Sequence, residues 1–138
     1  MKNPPDNWNK SYGGTIGIQY EETEPGRAVA SLEVLPGHCN PVGVCHGALI
    51  FALADDAMGA ALHPMCPEGM LLTSAQVNVH YVSSARPGDR LRVVSSVTNR
   101  TRRTALVEAR VTGREDRLVA ALTSTYLFVE PRYAGEKR

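Results

Sequence analysis

The sequence predicts an α+β domain in which a curved antiparallel sheet wraps around one long central helix. Three observations carry this. Residues 47–62 form the longest largely apolar run, dominated by Ala, Leu and Met, which are good helix formers. The other apolar residues fall in six short segments separated by Pro, Gly and charged turns. With 138 residues, 43% hydrophobic and 21% charged, the chain can build one ordinary core and little more.

Residues 15–23 (TIGIQYEET) read as a weakly alternating strand, and "EPGR" at 24–27 as a turn into a second strand at 28–35. A loop follows at 36–45, with two prolines and two glycines in ten residues. The helix runs roughly over 46–62, and Pro64 and Pro67 end it. It is apolar nearly all round, the mark of a buried helix. In 72–82, Ala75, Val77, Val79 and Tyr81 alternate with Ser74, Gln76, Asn78 and His80, a period of two. After the turn "ARPGD" (85–89), strands at 90–98, 104–112 and 117–129 are separated by "NRTRR" and "GRED". Hairpin-length loops make the last four strands antiparallel. Only the helix is available to cover the sheet's apolar face, which gives the hotdog arrangement. The other face carries Val, Leu and Thr as well, so a second subunit is expected to cover part of it. A single domain spans 1–138, with 1–11 and 131–138 as flexible tails.

A net charge of +1 argues against a broad electrostatic nucleic-acid binder. The opening MKNPPDNWNK lacks an apolar signal-peptide core, and the 47–62 run is too short and too acidic to span a bilayer. Three cysteines (Cys39, Cys45, Cys66) cannot all pair within one chain. With the missing signal, they point to a reducing cytoplasm and no membrane partner.

The helix raises a question of its own: Asp55 and Asp56 sit side by side in "FALADDAMGAAL", with no Lys or Arg on the helix to pair with either. An unpaired carboxylate in an apolar site costs several kcal/mol or titrates at raised pH. Adjacent residues point about 100° apart, so the two acids do different things. The plainer destination for either is a solvated edge or a neighbouring loop. At the other end, "VCHGAL" puts His46 and Gly47 at the first turn, where N–H groups lack intrahelical partners and the dipole is positive. Gly there admits a ligand oxygen, which suits a developing oxyanion; a plain helix entry after a Gly-rich loop is the alternative. Gly47 and Asp55 are eight residues apart, about 12 Å of helix rise, so they cannot touch one carbonyl from one chain. If they share a site, two copies related by a two-fold axis build it, and the protein is a dimer with two equivalent sites.

The segment "NPVGVCHGALIFALAD", with Asn40, His46, Gly47 and Asp55 spaced N-x5-HG-x7-D, resembles the hotdog acyl-CoA thioesterases of the phenylacetate-pathway (PaaI-like) type. The likeness runs over roughly 12–130 and includes "SAQVNVHYV" and "RPGD". It implies hydrolysis of an acyl-CoA thioester without a further cofactor, coenzyme A being part of the substrate. Gly47 would offer its N–H to the thioester carbonyl, and Asn40 would assist it or place the water. Asp55, from the opposing subunit, would be general base or nucleophile. Ser74 matches a position that helps hold the water, and His46 would orient the loop or a partner carboxylate. The family assembles as a dimer of dimers, which implies a homotetramer. Two departures stand out: Ala48 replaces a second Gly after HG, and Gly59 replaces a helper Thr one turn after the acid. Asp56 has no counterpart role; a hydrogen-bonded structural acid near the interface is expected.

Coenzyme A needs cations for its phosphates. Arg100, Arg102 and Arg103 in "NRTRRT", and Arg86 by the next turn, are candidates, contributed by one or two subunits; a solvated basic turn is the alternative. The stretch "HCNPVGVCH" (38–46) offers two His and two Cys, but adjacent pairs in so short a loop do not suit tetrahedral zinc, and no metal is expected. A hotdog protein that binds acyl-CoA without hydrolysis is the competing function. A hydratase of the same fold is a third option, but it would use an Asp/His pair in a different motif.

Overall fold

The computed structural model describes Asn7 and residues 10–133. Most of the expected tails, 1–6, 8–9 and 134–138, lies outside the described residues. Along the chain run a one-turn helix α1 (Tyr12–Ile16), β1 (Gln19–Glu24), β2 (Arg27–Glu33), the long helix α2 (Gly47–Leu62), β3 (Leu71–Tyr81), β4 (Arg90–Arg100), β5 (Thr104–Thr112) and β6 (Leu118–Val129). All six strands join one antiparallel sheet in the order β1-β2-β4-β5-β6-β3.

The core lies between α2 and the concave face of that sheet. Leu53, Ala54, Ala57 and Met58 on the helix are fully buried against Ala30, Leu32, Leu91, Val93, Val107 and Val111 of the strands. Ser95 is the polar exception at this seam. Its buried hydroxyl is within reach of two carbonyls, Ala57 of α2 at 2.8 Å and Ala28 of β2 at 3.3 Å. It thus ties two strands to the helix and leaves no polar atom orphaned. Pro64 stops α2, and the chain continues as a short 3-10 turn, His63–Met65.

Two expectations need correction. The segment 15–23 is not one strand: α1 takes up Tyr12–Ile16, and β1 begins only at Gln19. The reason is tertiary. Gly13 is buried directly against the Asp56 carboxylate, where a Cβ would come within 2.8 Å of Oδ2. Second, the strands after the helix are not a simple run of hairpins. The 82–89 connection crosses the sheet, so β3 pairs with β6 at one edge while β4 pairs with β2. The convex face carries Thr and Leu beside polar residues. A shallow groove of about 260 Å³ there is lined by Gln76, Asn78, Thr98, Leu106, Glu108 and Thr123 among others, none of them a candidate site residue.

The two sheet edges differ. β1 is six residues long and carries Glu21, Glu22 and Glu24, which blunt it against further pairing. β3 is eleven residues long and has no Asp, Glu, Lys or Arg. Residues on both of its faces stay exposed or only half-buried, because α2 packs over β2, β4 and β5 instead.

Candidate active site

The two acids of α2 point to opposite sides of the helix. Asp56 faces β1, where the Tyr20 hydroxyl donates to its Oδ2 at 2.6 Å and Gly13 packs against it. It is a hydrogen-bonded acid that anchors α1 and β1 to the helix, on the β1 side of the sheet. Asp55 faces β6, where the Tyr126 hydroxyl lies 3.3 Å from its Oδ1 and 3.3 Å from its backbone oxygen. Burial raises the Asp55 pKa above the usual carboxylate range; the Tyr126 hydrogen bond pulls it down, and the neighbouring Asp56 pushes it up. Burial and the adjacent Asp55 likewise push the Tyr126 phenol far above its ordinary value, so it remains a donor.

Ser74 joins this group through a β-bulge. The two-residue alternation along 72–82 puts Ser74 on the face opposite Val77, Val79 and Tyr81. The register shift between Ser74 and Gln76 reverses that: Ser74 pairs with Tyr126, and Val77 with Ser124, all on the concave side. One row across the sheet then reads Arg100, Ala105, Tyr126, Ser74. Arg100 stands at its far end, about two strand spacings, or 10 Å, from Tyr126. Its guanidinium lies over the Phe128 ring at 5.3 Å. Asp55 and Ser74 are therefore both neighbours of Tyr126, by hydrogen bond and by strand pairing, with Arg100 farther along the same row.

The start of α2 carries the remaining candidates, His46 and Gly47, with Asn40 in the loop before it. His46 is the N-cap, and its Nδ1 accepts the Ala48 N–H at 3.0 Å. The Leu49 and Ile50 N–H groups close onto the His46 carbonyl at 3.0 and 3.4 Å. Among the described residues the Gly47 N–H has no acceptor, so the first turn keeps one donor available at the positive end of the helix. Tyr81 packs against Gly47 and donates to its carbonyl at 2.8 Å; a Cβ on Gly47 would sit 3.0 Å from the Tyr81 Cζ. Asn40 spends its Oδ1 on the loop, accepting the Val42 N–H at 3.0 Å and the Val44 N–H at 3.3 Å. Its amide nitrogen is thereby left to act as a donor.

The candidate arginines divide between the two ends of the molecule. Arg86 follows Ala85, whose carbonyl accepts the Cys45 N–H beside the helix start. Arg100, Arg102 and Arg103 lie at the β4–β5 turn, past the other end of the helix. Among the described residues, the side chains of Arg86, Arg102 and Arg103 have no hydrogen bond or ion pair. In the 38–46 loop both histidines are already engaged through one ring nitrogen. The Nδ1 atoms of His38 and His46 both accept backbone N–H groups, and among the described residues no three His, Cys, Asp or Glu side chains converge.

Sequence reasoning missed Tyr20, Tyr81 and Tyr126, whose hydroxyls hold Asp56, Gly47 and Asp55. The available signal covers only Tyr126, which is 3% exposed, where a buried phenol must find a partner; Tyr20 is half-buried and Tyr81 is exposed.

Comparison with known proteins identifies the family of the chain. The Thioesterase superfamily model matches residues 42–120. A putative esterase of Archaeoglobus fulgidus is 30% identical over 104 residues, 75% of this chain and 66% of that protein. The acyl-coenzyme A thioesterase PaaI of Escherichia coli is 22% identical over 112 residues, 81% of this chain and 78% of the other. A Streptococcus mutans protein crystallised with acetyl CoA superposes with a TM-score of 0.77 at 25% identity, covering 83% of this chain and 90% of that one. No helix among the described residues is long and apolar enough to cross a membrane. The chain belongs to the thioesterase superfamily: it is a PaaI-like thioester hydrolase of the hotdog fold.

Proposed function

We propose that the chain hydrolyses acyl-CoA thioesters at a site completed by a second copy of itself. The observation that carries this is the separation of two complementary half-sites on one helix. Gly47 and Asp55 are eight residues apart on α2, about 12 Å of rise. One half-site offers donors suited to an oxyanion, the Gly47 N–H and the Asn40 amide. The other offers a carboxylate of raised pKa. A two-fold axis that lays two α2 helices side by side brings Gly47 of one chain against Asp55 of the next. The long, uncharged edge of β3, with its half-covered concave face, supplies a surface on which such a dimer can form. Pairing of two such dimers gives the homotetramer.

The chemistry follows from the two halves. Asp55 removes a proton from water held near Ser74, and the hydroxide adds to the thioester carbonyl carbon; alternatively, the carboxylate itself adds to that carbon and water clears the acyl group afterwards. In either route the charge that develops on the carbonyl oxygen meets the Gly47 N–H and the Asn40 amide at the helix start. Collapse expels the CoA thiolate. His46 holds the first turn in place through its cap. Arg86 from the Gly47 end, and Arg100, Arg102 and Arg103 from the opposite end, supply cations for the CoA phosphates. The reading draws support from the E. coli relative named as an acyl-coenzyme A thioesterase and from the S. mutans protein's bound acetyl CoA.

The test is complementation between dead chains. D55N and G47V are each expected to lose CoA release by about 10²-fold or more. Co-expressed, they form hybrids in which the D55N chain gives Gly47 and the other gives Asp55, so one of the two sites is intact. Random pairing returns about a quarter of wild-type activity. No recovery in hybrids verified by mass would sink the two-chain site. Absence of CoA release by the wild type across short, medium, long and aromatic acyl-CoAs, with binding retained, would favour a non-catalytic acyl-CoA binder.

A further inference from the structure

Cys39 and Cys45 face each other across an isolated antiparallel bridge at the base of the loop that carries Asn40. The flanking bonds run from the His46 N–H to the His38 carbonyl at 2.9 Å and from the Asn40 N–H to the Val44 carbonyl at 2.9 Å. That pattern makes the cysteines a non-hydrogen-bonded pair, whose side chains share a face and whose Cα atoms sit about 4.5 Å apart. Disulfides span Cα separations of about 4.4–6.8 Å, so the two can be joined without opening the loop, at the short and strained end of the range. Both thiols are free. Cys39 is half-exposed, whereas Cys45 is 4% exposed. Burial, and then the nearness of Cys39, push the Cys45 thiol up to about 11. The order of events follows: Cys39 meets a reagent from solvent, and Cys45 resolves it.

We propose that Cys39 and Cys45 form a reversible thiol–disulfide site that reacts with low-molecular-weight disulfides and controls the geometry of the α2 start. The Cys39 thiolate attacks one sulfur of the disulfide, forming a mixed disulfide and expelling one thiolate. The Cys45 sulfur, its proton given up to solvent, then attacks the Cys39 sulfur. The intrachain S–S bond forms and the second small thiolate leaves. The protein is oxidised by two electrons, the small disulfide is reduced by two, and the released protons are taken up by the two thiolates. A bond at the strained end of the range is readily reversed by excess monothiol. The two sulfurs directly adjoin the groups that matter: Asn40 follows Cys39, and His46, the cap of α2, follows Cys45. Pulling the sulfurs into the near-perpendicular disulfide torsion displaces both neighbours. This effect on turnover rests on the role proposed above for Asn40 and Gly47; the disulfide itself does not.

The test uses the full chain incubated with oxidised glutathione and read by intact mass and thiol alkylation. The wild type is expected to lose two of its three alkylatable thiols, and a C66S chain both of its own, each with the mass loss of two hydrogens. C45S is expected to stop at a glutathione adduct on Cys39. Oxidised C66S is expected to lose kcat by about tenfold or more, as ångström-scale misplacement does, and to recover it with dithiothreitol. An adduct on Cys39 that never resolves in C66S, or a bond that forms only between chains, overturns the site. A bond that forms with kcat unchanged overturns its control of the helix start. A reduced enzyme with no hydrolysis sinks the acyl-CoA reading instead, and the mass readout still decides the disulfide.

Discussion

Tyr126→Phe isolates how Asp55 is tuned. Phe keeps the ring in its place, which is only 3% exposed, and removes one hydroxyl. That hydroxyl is shared between two acceptors of Asp55, Oδ1 and the backbone oxygen, both at 3.3 Å, so each bond is long and its worth sits at the ordinary level of about 0.5–1.5 kcal/mol. In a protonation equilibrium this is about a two- to twelvefold change. The sign follows from the roles: burial raises the Asp55 pKa, and the Tyr126 bond opposes it. Without the bond, the carboxylate holds its proton to higher pH. The acid limb of kcat/KM against pH moves upward, so Y126F is slower by about two- to twelvefold below the limb. On the plateau above it the rates converge, since a carboxylate of higher pKa is at least as strong a base. Rates of acyl-CoA hydrolysis measured from acid to neutral pH for both proteins settle it. Superimposable profiles, or a uniform loss at every pH, would refute the assignment of Asp55 as the group that titrates.

Three other outcomes are expected. G47A sets a Cβ 3.0 Å from the ring of the exposed Tyr81, which must give by a few tenths of an ångström, and should cost about 1 kcal/mol or less by chemical denaturation; in a Y81A background its cost should shrink, and equal costs would remove the packing explanation. D89N should lose about 2 kcal/mol near neutral pH, because the nearly buried Asp89 carboxylate accepts the Arg86 N–H at 2.9 Å and pairs with Arg114. The Arg86 bond first, with Arg114 also contributing, holds that carboxyl below the usual range, so its stabilisation is complete above the ordinary carboxylate pKa and disappears as pH falls through the lowered value; the wild type and D89N should therefore converge in strong acid, and a constant gap would refute it. Glu115 and Asp116 occupy left-handed backbone at φ 54° and 56°, a conformation of about 1–2 kcal/mol cost to ordinary residues, so E115N/D116G should raise the melting temperature; a lower value would count against the turn geometry.

What was legible in the sequence was whatever local pattern decides. The helix is apolar nearly all round and closed by Pro64, and its bounds came out within a residue. Strand positions followed from alternation and from the turn residues between them. What was hidden depends on residues far apart in the chain. Nothing in "SYGGTIG" announces α1, because the buried Gly13 is fixed by Asp56, more than forty positions away. The bulge after Ser74 leaves no mark in an eleven-residue strand of mixed polarity, yet it decides which face Ser74 takes. The pairing of β3 with β6 requires a crossover that the short 82–89 segment did not suggest. Asn40, His46, Gly47 and Asp55 stand out as a group because they lie on one helix and the loop before it, whereas the tyrosines that bond Asp56, Gly47 and Asp55 do not, because they arrive from β1, β3 and β6.

The adjacent acids show how one helix can divide its labour. Because successive residues point about 100° apart, Asp56 reaches the β1 edge of the sheet and Asp55 reaches β6, the strand beside the opposite edge. On the β1 side, the Tyr20 hydroxyl and the first turn of the chain close over Asp56, and that edge is blunted by glutamates. On the β3 side, Asp55 meets only a long, shared hydrogen bond, beside an edge without such charges. The asymmetry leaves one acid committed to the fold and the other with spare acceptor capacity, on the side where the dimer proposed above would add the helix start. A single helix of this length cannot supply both the carboxylate and the oxyanion donors to one carbonyl. In the proposed dimer, a pair of them antiparallel about a two-fold axis would supply both sets twice.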